Sequence, residues 1–360
     1  MSPSVDGREL PAIAPSSGSG SSRRGVPPGL RARDVERRER FKEQWNEAAK
    51  EVDAAAVTIV NEVNGEGAPP RLVEDFKYLE RRYQVREELE QTRREGLQLL
   101  VSCSCKEKCK ADKCDCQDPS EYQDPQSGDR KFAYSKKGLF TFRLPRGMEA
   151  IECNQASYSY PDANCACGEV CRNRVAQRPR DVPIEVFRTL DRGWGARATI
   201  PLQRGRVVGI YTGCADTVAN PRVLLLKPTP AQRTDDGERR SYIFDLDVHE
   251  NGEEDDGDDN KFSVDAWSYG NWTRFINHSC SPNMRVYPVV WDTIPELNQP
   301  YLAFVVTRDL QARTELTIDY DPKAAHPDGS DAQPSSQLER PRGARDCMCG
   351  ADGCRGWVSV

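Results

Sequence analysis

The stretch that decides the fold is RFINHSCSPN, residues 274–283. In it, Asn277 and His278 lie between the apolar pair Phe275-Ile276 and the turn-forming residues 281–283. Amide and imidazole groups held against an apolar segment suit the recognition of a polar ligand. The alternative is a buried strand end in which Asn277 and His278 are simply satisfied by their neighbours.

Short β-type runs, with turn residues between them, surround this stretch from Pro183 to Tyr320. Such runs bounded by Gly, Pro, Asn and Asp are typical of strands. The pattern therefore predicts a mostly β unit. The predicted strands cover residues 184–187, 196–200, 207–211, 242–246, 284–290, 302–306 and 316–318.

The first hundred residues have a different pattern. Residues 1–33 are rich in Ser, Gly and Pro and become Arg-rich toward their end, which predicts a disordered basic arm. Charges at helical spacing predict helices over residues 34–55 and 75–99. The run Val57–Val60 predicts a strand. Residues 34–100 are expected to pack on the β unit.

The composition restricts the partners and the compartment. The 360 residues carry a net charge of −6 with a pI near 5.4, which argues against a general DNA binder and fits a basic partner. Direct DNA contact is expected only through the basic arm, and a solvated arm is the alternative. No apolar run approaches a membrane span, and the N-terminus lacks an apolar signal core. An intracellular protein without membrane contact is therefore expected.

Fourteen cysteines in a reducing compartment indicate metal ligands rather than disulfides. Nine of them lie between residues 103 and 171, with no histidine among them. Because tetrahedral zinc takes four ligands, nine thiolates satisfy three ions when three sulfurs bridge. The alternative is two separate four-thiolate sites and one free thiol. The nine are Cys103, Cys105, Cys109, Cys114, Cys116, Cys153, Cys165, Cys167 and Cys171.

The C-terminal tail offers three more cysteines, Cys347, Cys349 and Cys354. A tetrahedral zinc site needs a fourth ligand, and Cys280 of the central stretch is otherwise unassigned. If Cys280 completes the site, zinc ties the tail onto the central stretch. The remaining cysteine, Cys214, is expected to be a buried apolar residue rather than a ligand.

Further motifs accompany the cysteines: GWG at 193–195, YTG at 211–213, ELTIDY at 315–320 and the tail CxCx4C. With RFINHSCSPN, they resemble the SET-domain histone-lysine methyltransferases of the Su(var)3-9 class, in particular the compact fungal ones. The resemblance covers roughly residues 57–360. RFINHSC is the most specific motif and GWG the weakest.

The resemblance implies a mostly β fold with some α: the SET fold of small curved β-sheets with a pseudoknot, flanked by pre-SET and post-SET zinc segments. In the pseudoknot, the NHSC strand passes through a loop closed by the ELTIDY strand, an exception to the rule that chains avoid threading. The implied domains are a pre-SET zinc cluster at 101–180, a SET catalytic domain at 181–321, a flexible linker at 322–342 and a post-SET zinc segment at 343–360.

The resemblance also implies roles for individual residues. Tyr320 would be the catalytic tyrosine, and Tyr211 would line the channel for the substrate lysine. S-adenosyl-L-methionine would be held by side chains and backbone of Arg188, Gly193, Trp194, Gly195, Tyr242, Arg274, Phe275, Asn277, His278 and Trp357. Zinc would be structural, with three ions in the pre-SET cluster and one in the post-SET site, because sites closed by four thiolates leave no open position for catalysis.

The implied activity is methyl transfer to lysine 9 of histone H3, in heterochromatin formation and gene silencing. The implied partners are the histone H3 tail or nucleosome and proteins of heterochromatin complexes, in the nucleus on the chromosome. One alternative is a catalytically idle SET module that serves as a chromatin scaffold. Another is a lysine methyltransferase with a non-histone substrate.

Two local features qualify this picture. Ile318 lies in the substrate channel where the family usually has Phe or Tyr, which predicts that di- and trimethylation are sterically allowed. Residues 245–259 contain nine carboxylates and no Lys or Arg. This segment is either a solvated insert or a binding face for a basic tail, with Asp245 or Asp247 close to the tail's basic side chains.

Overall fold

The structure is a computed structural model. It describes residues 28–63, 68–85, 91, 100, 102–106, 108–145, 148–154, 165–168, 170–217, 239, 241–246, 262–292, 299–322 and 340–358. The arm before residue 28 lies outside the described residues, as do the linker from residue 323 to 339 and the acidic segment from residue 247 onward. No helix among the described residues is long and apolar enough to cross a membrane.

A single long helix, α1, spans Pro28–Lys50. It buries Phe41, Trp45 and Ala49, which are spaced four residues apart and so share one face. The predicted bounds, a disordered arm to residue 33 and a helix over 34–55, are wrong at both ends. Proline is well tolerated in the first turn of a helix, where its missing N–H costs nothing. The helix ends before Asp53, whose φ of 55° is left-handed.

Asn46 fastens α1 to the first strand, β1 (Val57–Val60). Its amide donates to the Val57 carbonyl at 2.7 Å, and its Oδ1 accepts from the Val57 amide at 2.8 Å. Strand β1 then pairs in parallel with a distant strand, Val57 opposite Ile184. The predicted strand at Val57–Val60 is confirmed, and through it the N-terminal region joins the β unit.

The predicted helix over residues 75–99 is contradicted over residues 75–85, whereas Gln91, farther along, is helical. Two short strands lie there, β2 (Lys77–Tyr78) and β3 (Gln84–Val85). Phe76, Tyr78 and Tyr83 are buried, and burial of these aromatic rings outweighs the helical spacing of the charges. Residues 86–90 and 92–99 lie outside the described part of the chain.

The remaining strands form small sheets, as the fold class predicts. They are β4 (Ala150–Ile151), β5 (Ile184–Arg188), β6 (Trp194–Ala198), β7 (Val207–Ile210), β8 (Cys214–Thr217), β9 (Ile243–Asp245), β10 (Phe262–Asp265), β11 (Tyr269–Gly270), β12 (Asn277–His278), β13 (Met284–Val290), β14 (Tyr301–Val306), β15 (Thr317–Ile318), β16 (Arg345–Asp346) and β17 (Trp357–Val358).

Two sheets have four strands, in the orders β4-β13-β14-β7 and β3-β8-β10-β9. A third has the order β1-β5-β6, and the pairs β11-β2, β12-β15 and β16-β17 complete the set. All six residues of β14 are buried, so this strand lies at the centre of the core. The core is one continuous cluster that extends from Trp45 of α1 to Leu316.

The central stretch lies where these sheets meet. Strand β12 pairs in parallel with β15, Asn277 opposite Thr317 and His278 opposite Ile318. The NHSC and ELTIDY segments are therefore adjacent strands, as the resemblance implies. Four buried residues, Trp272–Phe275, form a 3₁₀ helix that leads into β12.

Candidate active site

Asn271 fixes the entry to the central stretch. Its Oδ1 accepts from the Thr273 amide at 2.9 Å, and its amide group donates to the carbonyls of Glu80 and Ile210. Trp272 follows and is fully buried. A Cβ at Gly209 would lie 2.8 Å from the Trp272 ring, so glycine is required there. The segment before β12 is thus held from three sides.

Arg274 and Phe275 pack among aromatic rings, and the Arg274 guanidinium carbon lies 5.1 Å from the centroid of the Phe275 ring. The Phe275 ring packs against Trp45 of α1, with ring centroids 5.9 Å apart, which leaves the Phe275 backbone as the part free to meet a cofactor. The Arg274 guanidinium lies 4.1 Å from the centroid of the Tyr242 ring. Its Nε donates to the Ala266 carbonyl at 3.0 Å. Arg274 is 7% exposed, and burial lowers its pKa from the ordinary value.

Asn277 is clamped by two segments. Its amide nitrogen donates to the Trp194 carbonyl at 3.1 Å and to Glu315 Oε1 at 2.9 Å. Glu315 is in turn held by Arg192, whose Nη2 lies 2.6 Å from Oε2. A Cβ at Gly195 would lie 2.8 Å from Glu315 Oε1, which explains the glycine. Glu315 and Arg192 were not among the predicted site residues.

The GWG turn lies beside this clamp. Gly193 has a φ of +75°, a left-handed conformation that favours glycine. Arg188 ends β5 with an exposed side chain and pairs in register with the half-buried Trp194. Gly193, Trp194, Gly195 and Arg188 are therefore brought to the same edge as Asn277.

Two tyrosine hydroxyls donate to main-chain carbonyls in the site. Tyr211 donates to the Tyr242 carbonyl and Tyr320 to the Ile276 carbonyl, each at 2.7 Å. Burial raises the pKa of both phenols above the ordinary value. Both therefore stay protonated near neutral pH, where a phenol can donate or accept hydrogen bonds but is not a ready-made base. Tyr320 as a whole residue is 38% exposed, whereas Tyr211 is 5% exposed.

His278 connects the tyrosine to the sulfur site. Its Nδ1 accepts from the Tyr320 amide at 3.2 Å, and its Nε2 lies 3.3 Å from Cys280 Sγ. Burial lowers the pKa of His278 to about 4, so the ring is neutral at pH 7. Because Nδ1 accepts, Nε2 carries the proton and donates toward the Cys280 sulfur. Ile318, opposite His278 in the strand pair, is 3% exposed.

Cys280 meets the three tail cysteines. Its Sγ lies 3.8 Å from Cys347 Sγ and 3.9 Å from Cys354 Sγ, and with Cys349 all four sulfurs lie within 4.8 Å of one another. Tetrahedral zinc–sulfur bonds of about 2.3 Å separate neighbouring sulfurs by about 3.8 Å. The four thiolates fit one zinc ion, and the site joins the tail to the central stretch as predicted.

An ion pair reinforces this junction. Arg355 donates to both carboxylate oxygens of Asp319, each at 2.8 Å, and its side chain is 5% exposed. Its guanidinium also lies 4.9 Å from the centroid of the Trp357 ring. Trp357 is 5% exposed and pairs with Asp346 in β17. A buried, bidentate charge pair therefore holds the tail beside a group of four sulfurs that could bind a metal ion.

Comparison with known proteins shows which families and relatives this chain is similar to. A SET domain model matches residues 193–321 and a Pre-SET motif model matches residues 49–174. An H3 lysine-9 specific histone-lysine N-methyltransferase of Schizosaccharomyces pombe is 31% identical over 90% of this chain and 58% of its own length. The H3 lysine-9 specific methyltransferase dim-5 of Neurospora crassa is 34% identical over 72% of this chain and 77% of its own length.

The chain belongs to the Su(var)3-9 class of SET-domain histone-lysine methyltransferases.

Solved structures of SET-domain proteins have the same fold. The structure of Neurospora DIM-5 matches with a TM-score of 0.56 and 29% identity over 74% of this chain and 95% of that one. Arabidopsis thaliana SUVH6, solved in complex with SAM, matches with a TM-score of 0.58 at 23% identity over 84% of this chain and 53% of that one.

The pre-SET cysteines form one cluster. Sulfur–sulfur approaches include Cys103 to Cys109 at 3.8 Å and Cys171 to Cys109 at 3.6 Å. Three overlapping groups of four sulfurs could each hold an ion, and Cys103 belongs to all three. Cys109 and Cys153 each belong to two. Shared sulfurs are what a bridged cluster requires. The structure thus brings all nine predicted ligands together, while the number of zinc ions stays a prediction.

Three predicted residues have different outcomes. Asp245 ends β9, an edge strand of its sheet, and is exposed. Asp247 lies outside the described residues. Cys214 was expected to be buried but is only half-buried, because it begins β8, which pairs with the short strand β3 near a sheet end.

One observation tests whether these residues suit a cofactor with a carboxylate group. Arg274 Nη1 is buried and has no hydrogen-bond partner within the described part of the chain. A buried guanidinium donor without an acceptor is costly, and a carboxylate would satisfy it. The site therefore fits the amino-acid end of S-adenosyl-L-methionine.

Proposed function

We propose that this chain transfers methyl groups from S-adenosyl-L-methionine to lysine 9 of histone H3. The observation that carries the proposal is the position of Tyr320. Tyr320 follows β15, the strand that pairs with NHSC, and its hydroxyl donates to the Ile276 carbonyl at 2.7 Å. The neighbouring residue, Asp319, accepts from Arg355 of the tail. Relatives named as H3 lysine-9 specific support the choice of substrate.

The cofactor would supply a methyl group on a positively charged sulfur. Arg274 would bind its carboxylate, Asn277 and Trp194 would position its polar edges, and Trp357 would cover it. The backbone at Gly193, Gly195, Phe275 and His278 would complete the site, with Arg188 and Tyr242 at its margin. These contacts would bring the cofactor beside the two tyrosine hydroxyls.

The chain's own residues then prepare the amine. A narrow site lined by Tyr211, Ile318 and Tyr320 excludes water and disfavours a charged ammonium, which lowers the pKa of the lysine. The neutral phenols orient the amine for in-line attack without taking its proton, since their own pKa values are raised. Positioning supplies most of the rate gain in such a displacement.

The same proposal covers partners and location. The H3 tail would add as a strand along the edge of β9, where Asp245 is exposed, and the acidic segment after it would attract the tail's basic side chains. The protein would work on nucleosomes in the nucleus, in heterochromatin with the proteins of that compartment, where it silences genes. The zinc content would be three ions in the pre-SET cluster and one in the post-SET site.

The test is a methylation assay with labelled cofactor, recombinant histone H3 and H3 in which lysine 9 is replaced by arginine, read by mass spectrometry. We expect label on wild-type H3 and none on the substituted form. Equal labelling of wild-type and substituted H3 would exclude lysine 9 as the methylated residue. Absence of label on H3, with label on other proteins of a peptide array, would indicate a non-histone substrate. No label on any substrate would indicate an idle scaffold.

Ile318 predicts the product. It is 3% exposed and has no hydroxyl to fix a water beside the amine, so the pocket accepts an amine that already carries methyl groups. We expect wild-type enzyme to form di- and trimethyl-lysine. We expect Ile318→Tyr to raise the ratio of monomethyl-lysine to higher products about 10-fold, the scale of one net hydrogen bond. Mass spectrometry of the H3 product checks this, and a wild-type product of monomethyl-lysine alone contradicts it.

A further inference from the structure

The insert between the two pre-SET cysteine clusters forms a pocket of its own. Residues 117–145 fold back through two bridges, Gln123 with Arg130 and Tyr134 with Phe140. Together with Ala111, Asp112 and Arg172, residues of this insert line an open cavity of about 740 Å³. This volume lies within the range of small-ligand sites, about 300–1,000 Å³. All residues that line the pocket precede Arg188, the first residue assigned to the methyl-transfer site.

The pocket is positively charged. Five cationic and two acidic side chains line it. Arg130 is paired with Asp118, and Lys131 lies 3.9 Å from both Asp124 and Asp129. Three cations line the pocket with no carboxylate within ion-pair distance among the described residues: Lys136, Arg143 and Arg172.

Arg172 is held in place. Its guanidinium carbon lies 5.0 Å from the centroid of the Phe132 ring. Its Nε is buried and lacks a hydrogen-bond partner in the described part of the chain. A fixed, planar guanidinium with an unused donor matches a phosphate better than a flexible ammonium does. Lys136 and Arg143 are exposed, so an extended anion could reach them from solvent.

Hydrogen bonds within the loops that carry these cations hold the loops in their conformation. Asp124 Oδ1 accepts from the amides of Gln126 and Ser127, and Thr141 Oγ1 donates to the Ala133 carbonyl at 3.0 Å. The adjacent zinc-ligating cysteines anchor the other side. Binding an anion here therefore requires little ordering of the chain.

We propose that this pocket binds phosphate groups of the DNA backbone and so contacts nucleosomal DNA. Arg, Lys, Ser, Thr and Tyr side chains are the usual phosphate contacts, and all five types line the pocket. The net charge of −6 limits this to a local contact with a few phosphates. The DNA contact thus lies outside the N-terminal arm. It does not depend on methyl transfer.

The test is binding of the full-length, zinc-loaded chain to a fluorescent 20-base-pair duplex, followed by anisotropy across a salt series. The double variant Lys136→Glu with Arg143→Glu should raise Kd at least about 10-fold. It should also flatten the slope of log K against log salt by about 1.8, since each phosphate contact contributes about 0.9. The matched control, Arg71→Glu with Arg342→Glu, changes the net charge equally at exposed positions outside the pocket. It should keep the wild-type slope.

Three outcomes overturn the proposal. The first is equal Kd and slope for the pocket variant and the control. The second is displacement of DNA by inorganic phosphate or ATP at low millimolar concentration, which would assign the pocket to a free phosphate. The third is tight binding of poly-glutamate with no binding of DNA. Methylation of a free H3 peptide, measured in parallel, reports failure of the proposed activity separately, because the pocket variant should leave it unchanged.

Discussion

Replacing Cys280 with serine should lower methyl transfer by at least about 100-fold, because a reactant misplaced by about 1 Å already costs that much. Cys280 is the one ligand of the tail site that lies on the central stretch, 3.8 Å from Cys347 Sγ and 3.9 Å from Cys354 Sγ. Without it, the proposed zinc ion would no longer join the tail to β12, and Trp357 would no longer be held in its proposed place over the cofactor. The core clusters away from the tail site stay intact, so the variant should fold.

Three measurements separate this effect from unfolding. The zinc content of Cys280→Ser should fall by one ion, its affinity for S-adenosyl-L-methionine should fall with activity, and its circular dichroism should match wild type. Cys214→Ser is the control, since Cys214 is half-buried in β8 and belongs to none of the sulfur groups. A Cys280→Ser variant with wild-type activity would contradict the role of the junction.

Replacing Tyr320 with phenylalanine should lower kcat by about 10²–10³, the scale observed when one positioned donor is removed from an active site. The Tyr320 hydroxyl is fixed by the Ile276 carbonyl at 2.7 Å, and Tyr320 is more exposed than Tyr211. The ring stays, so packing against His278 is kept. Affinity for S-adenosyl-L-methionine should change by less than about 3-fold, because the loss falls on the transition state.

Tyr269→Phe is the matched control, a half-buried tyrosine on β11 that faces Lys77 rather than the site. Its kcat should equal that of wild type. Single-turnover kinetics with an H3 peptide and isothermal titration with cofactor check both variants. A Tyr320→Phe enzyme with a wild-type single-turnover rate would remove this residue from the chemistry.

The strands of the SET domain could be predicted because their apolar runs are local signals. Strand β13 has the predicted bounds, Met284–Val290, and β14 begins one residue before its predicted start. Strand β8 could not be predicted, since CADT has no strand pattern and owes its conformation to pairing with β10. The charges of residues 75–85 suggest a helix, but three buried aromatic rings override them.

The residues of the site also fall into those that the sequence predicts and those that it does not. Asn277, His278, Tyr320 and the cysteine ligands lie in short motifs that sequence alone reveals. The Arg192–Glu315 and Arg355–Asp319 pairs cannot be predicted from sequence, because their partners are 123 and 36 residues apart. Any exposed charge has the same sequence pattern. These pairs position the residues that the motifs identify.

We infer that one metal ion, held by Cys280 and the tail cysteines, closes the cofactor site over the NHSC strand. Anomalous diffraction at the zinc absorption edge, from crystals of the full chain, tests it most directly. We expect a zinc peak about 2.3 Å from the sulfurs of Cys280, Cys347, Cys349 and Cys354. A peak bound by the tail cysteines alone, with Cys280 Sγ remote from it, would contradict the claim.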